Sequence, residues 1–288
     1  MSRPVDVLLE FLEAEQARGV THVHLDDGAR EALREVFNSA KAKKAAPPRL
    51  ESTPTPTTAE IHLDPPQAPV ATAQISIEGA TRAEQIDSLR RQAENWAPAK
   101  SLGSLRETMV FSAGNPEARV MLVGEAPGYQ EERERQPFVG PAGQKLNDIL
   151  KAMGLSREEV YISNIVKFRP STPKQTTNNR KPVAAEIAAC LPFIRSEIDI
   201  VRPACIVALG ETAAEGLLEI TGTVASLRER WHDYQGTPVR VTYHPSYLLQ
   251  TGDGHQTKRQ VWEDMLAVME KLELPISEKQ RGFFLPKA

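Results

Sequence analysis

The period of the hydrophobic positions changes along this chain and divides it. Val5, Leu8, Leu9 and Leu12 share one face of a helix over residues 4–18, and Gly19 sits where a helix C-terminal glycine belongs. Residues 20–25 alternate like a short strand, and Asp26 or Asp27 is placed to cap a second helix over 29–37. Periodicity then stops. Residues 46–80 are rich in Pro, Thr and Ala, the composition of an extended flexible linker. A helix resumes at Thr81, with Glu84 completing a capping box and Ile86, Leu89 and Trp96 as its apolar face. Beyond it, predicted strands 120–124, 159–166, 204–209 and 238–243 alternate with predicted helices 143–153, 183–201, 211–219 and 257–272.

That alternation predicts an α/β fold, a three-layer α/β/α sandwich with a mainly parallel central sheet. Four parts follow: a small N-terminal helical unit over 1–45, the linker over 46–80, an α/β domain over 81–275 and a tail over 276–288. Ligand sites in such sheets lie beyond the C-terminal strand ends. Glu125 follows the first predicted strand, Asn164 lies near the end of the second, and His244 follows the fourth.

Composition narrows the class. At 288 residues with 40% hydrophobic and 25% charged positions, the chain can bury a substantial core. It has no apolar run long enough for a spanning helix and no signal-peptide pattern at its start. Its two cysteines, Cys190 and Cys205, suit a reducing compartment, and a cytoplasmic location is expected. The net charge of −3 leaves nucleic-acid binding to local charge. The basic stretch holding Lys167, Arg169, Lys174, Arg180 and Lys181 is the candidate.

Four segments carry the chemistry. They are Gly124-Glu125-Ala126-Pro127-Gly128, Pro137-Phe138-Val139-Gly140, the run from Val160 to Lys167 containing Asn164, and His244-Pro245-Ser246-Tyr247-Leu248-Leu249. In this order, over about residues 85 to 272, the chain resembles the uracil-DNA glycosylase superfamily. It is most similar to family 4, whose bacterial and archaeal members ordinarily carry an iron–sulfur cluster. The resemblance implies a monofunctional hydrolase that flips uracil from single- or double-stranded DNA and cuts its N-glycosidic bond. It makes Glu125 and His244 catalytic, and assigns the base to Ala126, Glu131, Phe138 and Asn164. Phe138 would stack on uracil, Asn164 would read its N3–H and O4, and Glu131 would exclude a methyl at C5. Leu248 or Leu249 would fill the vacated stack. Ser246 and the basic stretch would hold phosphates. Nucleoid association and action as a monomer are expected, with no membrane partner.

The chain also departs from the resemblance. Four cysteines hold the family's cluster. Here Ser101 and Ser104 stand at the first two places, Phe168 at the third, and only Cys190 remains. No cluster and no other metal or cofactor are therefore expected. The loop from Ser171 to Pro182 is longer than usual, as in the X-type branch that traps the sugar on a histidine, but it contains no histidine. Turnover is expected over trapping. The alternatives are a uracil-DNA binding or trapping protein, and a glycosylase for hypoxanthine or xanthine. Gln250 stands where an arginine often follows the leucines. The N-terminal unit or the tail, whose Gln280, Phe283 and Phe284 faintly resemble a sliding-clamp ligand, is a place for a protein partner; packing of the tail onto the domain is the stronger expectation.

Overall fold

The structure is a computed structural model that describes residues 75–250 and 254–285, apart from the side chain of Gln250. The helices and strand expected over 4–37, and most of the linker, lie outside the described residues. Residues at the linker's expected end lie along the first described helix, α1 (Arg82–Glu94), where Ser76 exchanges hydrogen bonds with the Gln92 carboxamide. The capping box forms as expected, with Thr81 Oγ1 accepting from the N–H of Glu84.

The next elements are α2 (Ala97–Lys100), β1 (Leu105–Met109), β2 (Ala113–Gly114), β3 (Val120–Gly124), α3 (Tyr129–Glu134), α4 (Pro141–Met153), β4 (Tyr161–Asn164) and β5 (Phe168–Pro170). They are followed by α5 (Ala184–Val201), β6 (Cys205–Leu209), α6 (Glu211–Leu218), α7 (Val224–Leu227), β7 (Trp231–Tyr234) and β8 (Thr237–Thr242). The described chain closes with α8 (Tyr247–Gln250), α9 (His255–Lys271) and α10 (Glu278–Arg281). The main sheet has the order β2-β4-β3-β6-β8-β7; its four inner strands are parallel, and β2 and β7 run antiparallel at the edges. A separate antiparallel ribbon pairs β1 with β5.

The two central strands, β3 and β6, are buried along their whole length, so their sequences read as continuous apolar runs rather than as alternation. Met121, Val123, Ile206 and Ala208 face one core, formed with α1, α5 and α6. Val120, Leu122, Cys205 and Val207 face the other, formed with α4 and α9. These are the three layers expected from the sequence. The tail returns to the domain: Trp262 Nε1 donates to the Gln280 carbonyl at 2.6 Å, and Phe283 lies 5.3 Å from the Trp262 ring. Gln280 and Phe283, two of the three residues that suggested a clamp ligand, are thus engaged within the domain, and Phe284 is exposed.

The registers bring the C-terminal strand ends level. Gly124 stands opposite Asn164, Val123 opposite Ala208, and Leu209 opposite Thr242. The residues just beyond those ends meet at one edge of the sheet.

Candidate active site

A cleft of about 770 Å³ opens at that edge, and Glu125, Phe138, Asn164 and His244 all line it. The turn bearing Glu125 is mounted on the neighbouring strand. The carbonyls of Gly124 and Glu125 accept from Ile165 and Val166 at 2.9 and 3.0 Å, continuing the β3–β4 ladder past its end. The Glu125 carboxylate accepts from the Thr212 hydroxyl through Oε2 at 2.5 Å. Burial raises its pKa above the ordinary 4.5, while the Thr212 bond and the positive charge of Lys181 oppose the rise.

His244 is held by its own turn. Its Nδ1 accepts from the Ser246 N–H at 3.2 Å and lies 2.8 Å from Ser246 Oγ. A ring nitrogen that accepts a backbone N–H bears no proton, so the neutral ring carries its proton on Nε2. Burial pushes the His244 pKa down to about 4 against the pull of Glu131. At neutral pH this is an uncharged imidazole donor.

Phe138 adopts a left-handed backbone (φ +54°), unusual for an aromatic residue. It is pinned from both sides. Arg157 donates to the carbonyls of Pro137 and Phe138, and Glu131 Oε1 accepts from the N–H groups of Val139 and Gly140 at 3.1 and 2.8 Å. A Cβ at Gly143 would overlap the Phe138 carbonyl, so glycine lets the first turn of α4 approach this loop. Gly124 does the same for the floor of the cleft: a Cβ there would overlap the Asn164 carboxamide oxygen and stand 2.5 Å from Phe138 Cζ. The Phe138 ring lies 5.6 Å from the His244 ring.

Asn164 is buried, yet its Oδ1 has no hydrogen-bond partner. A buried orphan acceptor costs about 1–3 kcal/mol, and here the cost falls at the cleft wall, where a ligand donor can relieve it. Ala126 packs against the core beside it.

Several expectations are corrected. Lys167 does not face a phosphate: its side chain is wholly buried, pairs with Glu197 at 2.7 Å, and donates to Ser163 Oγ and the Asn164 carbonyl. Arg169 is likewise buried, bonded to Glu132, Asn179 and the carbonyls of Thr176 and Asn178. Arg180 is half-buried and committed to both oxygens of Glu186. Arg169 and Arg180 fasten the loop from Ser171 to Pro182 instead of presenting it to DNA, while Lys167 is held in the core behind it. Lys174 and Lys181 are exposed, the latter 3.7 Å from Glu211. Ser246 Oγ is engaged with His244. The two oxygens of Glu131 are taken by the N–H groups of Gly128, Val139 and Gly140, which makes it the brace of the Phe138 loop. The two leucines separate as well: Leu249 is exposed, whereas Leu248 lines an apolar groove with Ile149, Val261 and Trp262.

The sequence reading missed Thr212. It lies just past β6, at the same sheet edge as the other site residues, so the strand-end rule pointed to it; a threonine opening a helix otherwise reads as an ordinary first-turn residue.

Three of the four places expected to hold cluster ligands in the family lie near one another in the fold, while Ser101 is exposed with its hydroxyl donating to the Pro98 carbonyl. Ser104 Oγ donates to Glu186 at 2.6 Å, one turn of α5 before Cys190, and Phe168 packs in the same core as Cys190 and Phe193. Burial pushes the Cys190 thiol up to about 11. Two hydroxyls, a phenyl ring and one protonated thiol are not a donor set for iron–sulfur ligation. Among the described residues, no group of three or more His, Cys, Asp or Glu side chains is placed to hold a metal ion.

Comparison with known proteins gives a match to the model of the uracil DNA glycosylase superfamily over residues 111–266. A type-4 uracil-DNA glycosylase of Thermotoga maritima is 40% identical over 162 residues, covering 56% of this chain and 81% of that protein. One from Pyrobaculum aerophilum is 39% identical over 160 residues, 52% of this chain and 77% of that protein. A type-5 uracil-DNA glycosylase of Pyrobaculum aerophilum is 35% identical over 157 residues, 48% of this chain and 66% of that protein.

Proposed function

The chain belongs to the uracil DNA glycosylase superfamily, close to its type-4 members, and from that membership and the contents of the cleft we propose the following reaction. It is a DNA repair glycosylase that draws uracil out of DNA and hydrolyses its N-glycosidic bond, releasing uracil and leaving an abasic site. The observation that carries this reading is the pairing, in one cleft, of an unpartnered Asn164 acceptor with a neutral His244 donor and a Glu125 carboxylate.

In the reaction, the bond between N1 and C1′ breaks with its electron pair going to the base. His244 Nε2–H donates to uracil O2, where negative charge develops, and its neutral ring needs no protonation to do so. Glu125 offsets the positive charge on the sugar and takes the proton of the water whose oxygen bonds to C1′. Asn164 Oδ1 accepts from uracil N3–H while its amide donates to O4. Cytosine offers neither match and would leave the buried acceptor unpaired. Phe138 stacks on the base. Glu131 excludes a C5 methyl by the bulk of the loop it braces, since its oxygens are already occupied.

Leu249 is the wedge that replaces the flipped base, and Lys174 and Lys181 meet the phosphates. The protein acts as a monomer on uracil-containing DNA in the cytoplasm, at the nucleoid. The described residues include no helix long and apolar enough to cross a membrane. It works without an iron–sulfur cluster, because the places of three ligands hold Ser101, Ser104 and Phe168. Iron in stoichiometric amount, with the visible absorbance of a cluster, in protein purified without air would contradict this.

The test uses oligonucleotides carrying one uracil, hypoxanthine or xanthine. Alkali-labile cleavage at uracil is expected, with no adduct on a denaturing gel. Binding without cleavage, a covalent adduct, or preference for another base would overturn the reading.

A further inference from the structure

We propose that Thr212 is a positioning residue for catalysis, its hydroxyl fixing the Glu125 carboxylate in place and in its ionised form; this rests on the role given above to Glu125. Thr212 is buried on the first turn of α6, and its Oγ1 lies 2.5 Å from Glu125 Oε2. A hydroxyl has one proton to give. Here it goes to the carboxylate rather than to a carbonyl of its own helix, where a threonine commonly sends it. No other hydrogen bond to the Glu125 carboxylate comes from the described residues, so Oε1 remains for the water or the sugar.

The turn that carries Thr212 also touches the second catalytic group. Gly210 has φ +95°, and a Cβ there would come within 3.2 Å of His244 Cβ. The Gly210 N–H donates to the Thr242 carbonyl at 2.8 Å, locking this turn to the end of β8 two residues before His244. A single turn after β6 therefore spaces the carboxylate on one side and the imidazole on the other. Without the Thr212 bond, Glu125 would be a half-buried carboxylate free to rotate.

The charged groups around Glu125 are few. Lys181 on the long loop favours the ionised form, and its own nearest partner is Glu211. Glu131 lies across the cleft with its oxygens bonded to backbone, Arg180 is paired with Glu186, and His244 is neutral. Loss of the hydroxyl removes one of the two interactions that oppose the effect of burial on Glu125, leaving Lys181 alone. The carboxylate should then protonate at higher pH.

The experiment compares wild type with Thr212→Val, Thr212→Ser and Thr212→Ala by single-turnover uracil excision at saturating protein across pH. Thr212→Val is expected to slow excision about tenfold to a hundredfold at neutral pH, to move the acid limb upward, and to leave oligonucleotide affinity within about twofold. Thr212→Ser should restore most of the rate. In a Glu125→Gln background the loss of the hydroxyl should cost nothing more, because the two groups act as one unit. Equal rates and limbs for Thr212→Val and wild type, or additive losses in the double variant, overturn the proposal. Should Thr212→Val not fold, Thr212→Ala gives the same comparison, and the serine variant must still restore most of the rate. A wild-type protein that fails to release uracil would instead count against the proposed function.

Discussion

Lys167 and Glu197 form an ion pair, Nζ to Oε1 2.7 Å, with both side chains wholly buried behind Asn164. The ammonium also donates to the Asn164 carbonyl at 2.9 Å and lies 5.0 Å from the Phe111 ring centroid. A lysine that reads in sequence as a phosphate contact is thus a strut under Asn164, the residue proposed to select the base. Replacing it by Lys167→Met strands Glu197 in the core, where burial already raises its pKa. A loss of about 3–5 kcal/mol is expected in urea unfolding. The salt dependence of DNA binding should keep its slope; a shallower slope with unchanged stability would return Lys167 to the DNA surface.

Gly124 is the contact point of Asn164 and Phe138, the side chains proposed to read the base. Its φ lies outside the left-handed region, so alanine fits the backbone, but the new Cβ meets Asn164 Oδ1 and Phe138 Cζ. Gly124→Ala should shift both groups and cut excision at least about a hundredfold. Single-turnover rates check this, and a rate near wild type would place the floor of the site elsewhere.

The pH profile follows from two shifts of opposite sense. Burial raises the Glu125 pKa above 4.5 and lowers that of His244 to about 4. In the proposed reaction Glu125 works ionised, so activity is expected to fall as pH drops through its raised pKa. The opposite shifts place His244 protonation below that of Glu125, so the first limb met on acidification is assigned to Glu125. Excision should show one acid limb with a midpoint above 4.5, absent from the residual activity of Glu125→Gln. A midpoint near 4 that disappears with His244→Gln would reverse the assignment.

The two leucines should part company. Leu249→Ala is expected to slow excision from duplex more than from single strands, because only the duplex needs its stack filled. Leu248→Ala should lower the unfolding midpoint instead, since that side chain lines the groove between α4 and α9. Equal effects of Leu249→Ala on both substrates would remove the wedge role.

The layers were legible in the sequence because a parallel sheet writes its inner strands as apolar runs; 120–124 coincides with β3, and the four long predicted helices correspond to α4, α5, α6 and α9. The β1–β5 ribbon was not legible. Its strands are short, β1 is partly exposed, and their pairing joins segments far apart in the chain. Glu125, Phe138, Asn164 and His244 were found because motifs mark them, and the structure brings them to one cleft. The basic stretch was misread because Lys167 and Arg169 look in sequence like surface cations. Only the fold brings them against Glu197 and Glu132, which have no local signature.

The most direct test is single-turnover release of uracil from an oligonucleotide by protein of measured iron content, wild type beside Glu125→Gln and His244→Ala. Prompt release by iron-free wild type is predicted, with each variant at least about a hundredfold slower. Release that requires iron, or that persists at the wild-type rate in both variants, would contradict the account.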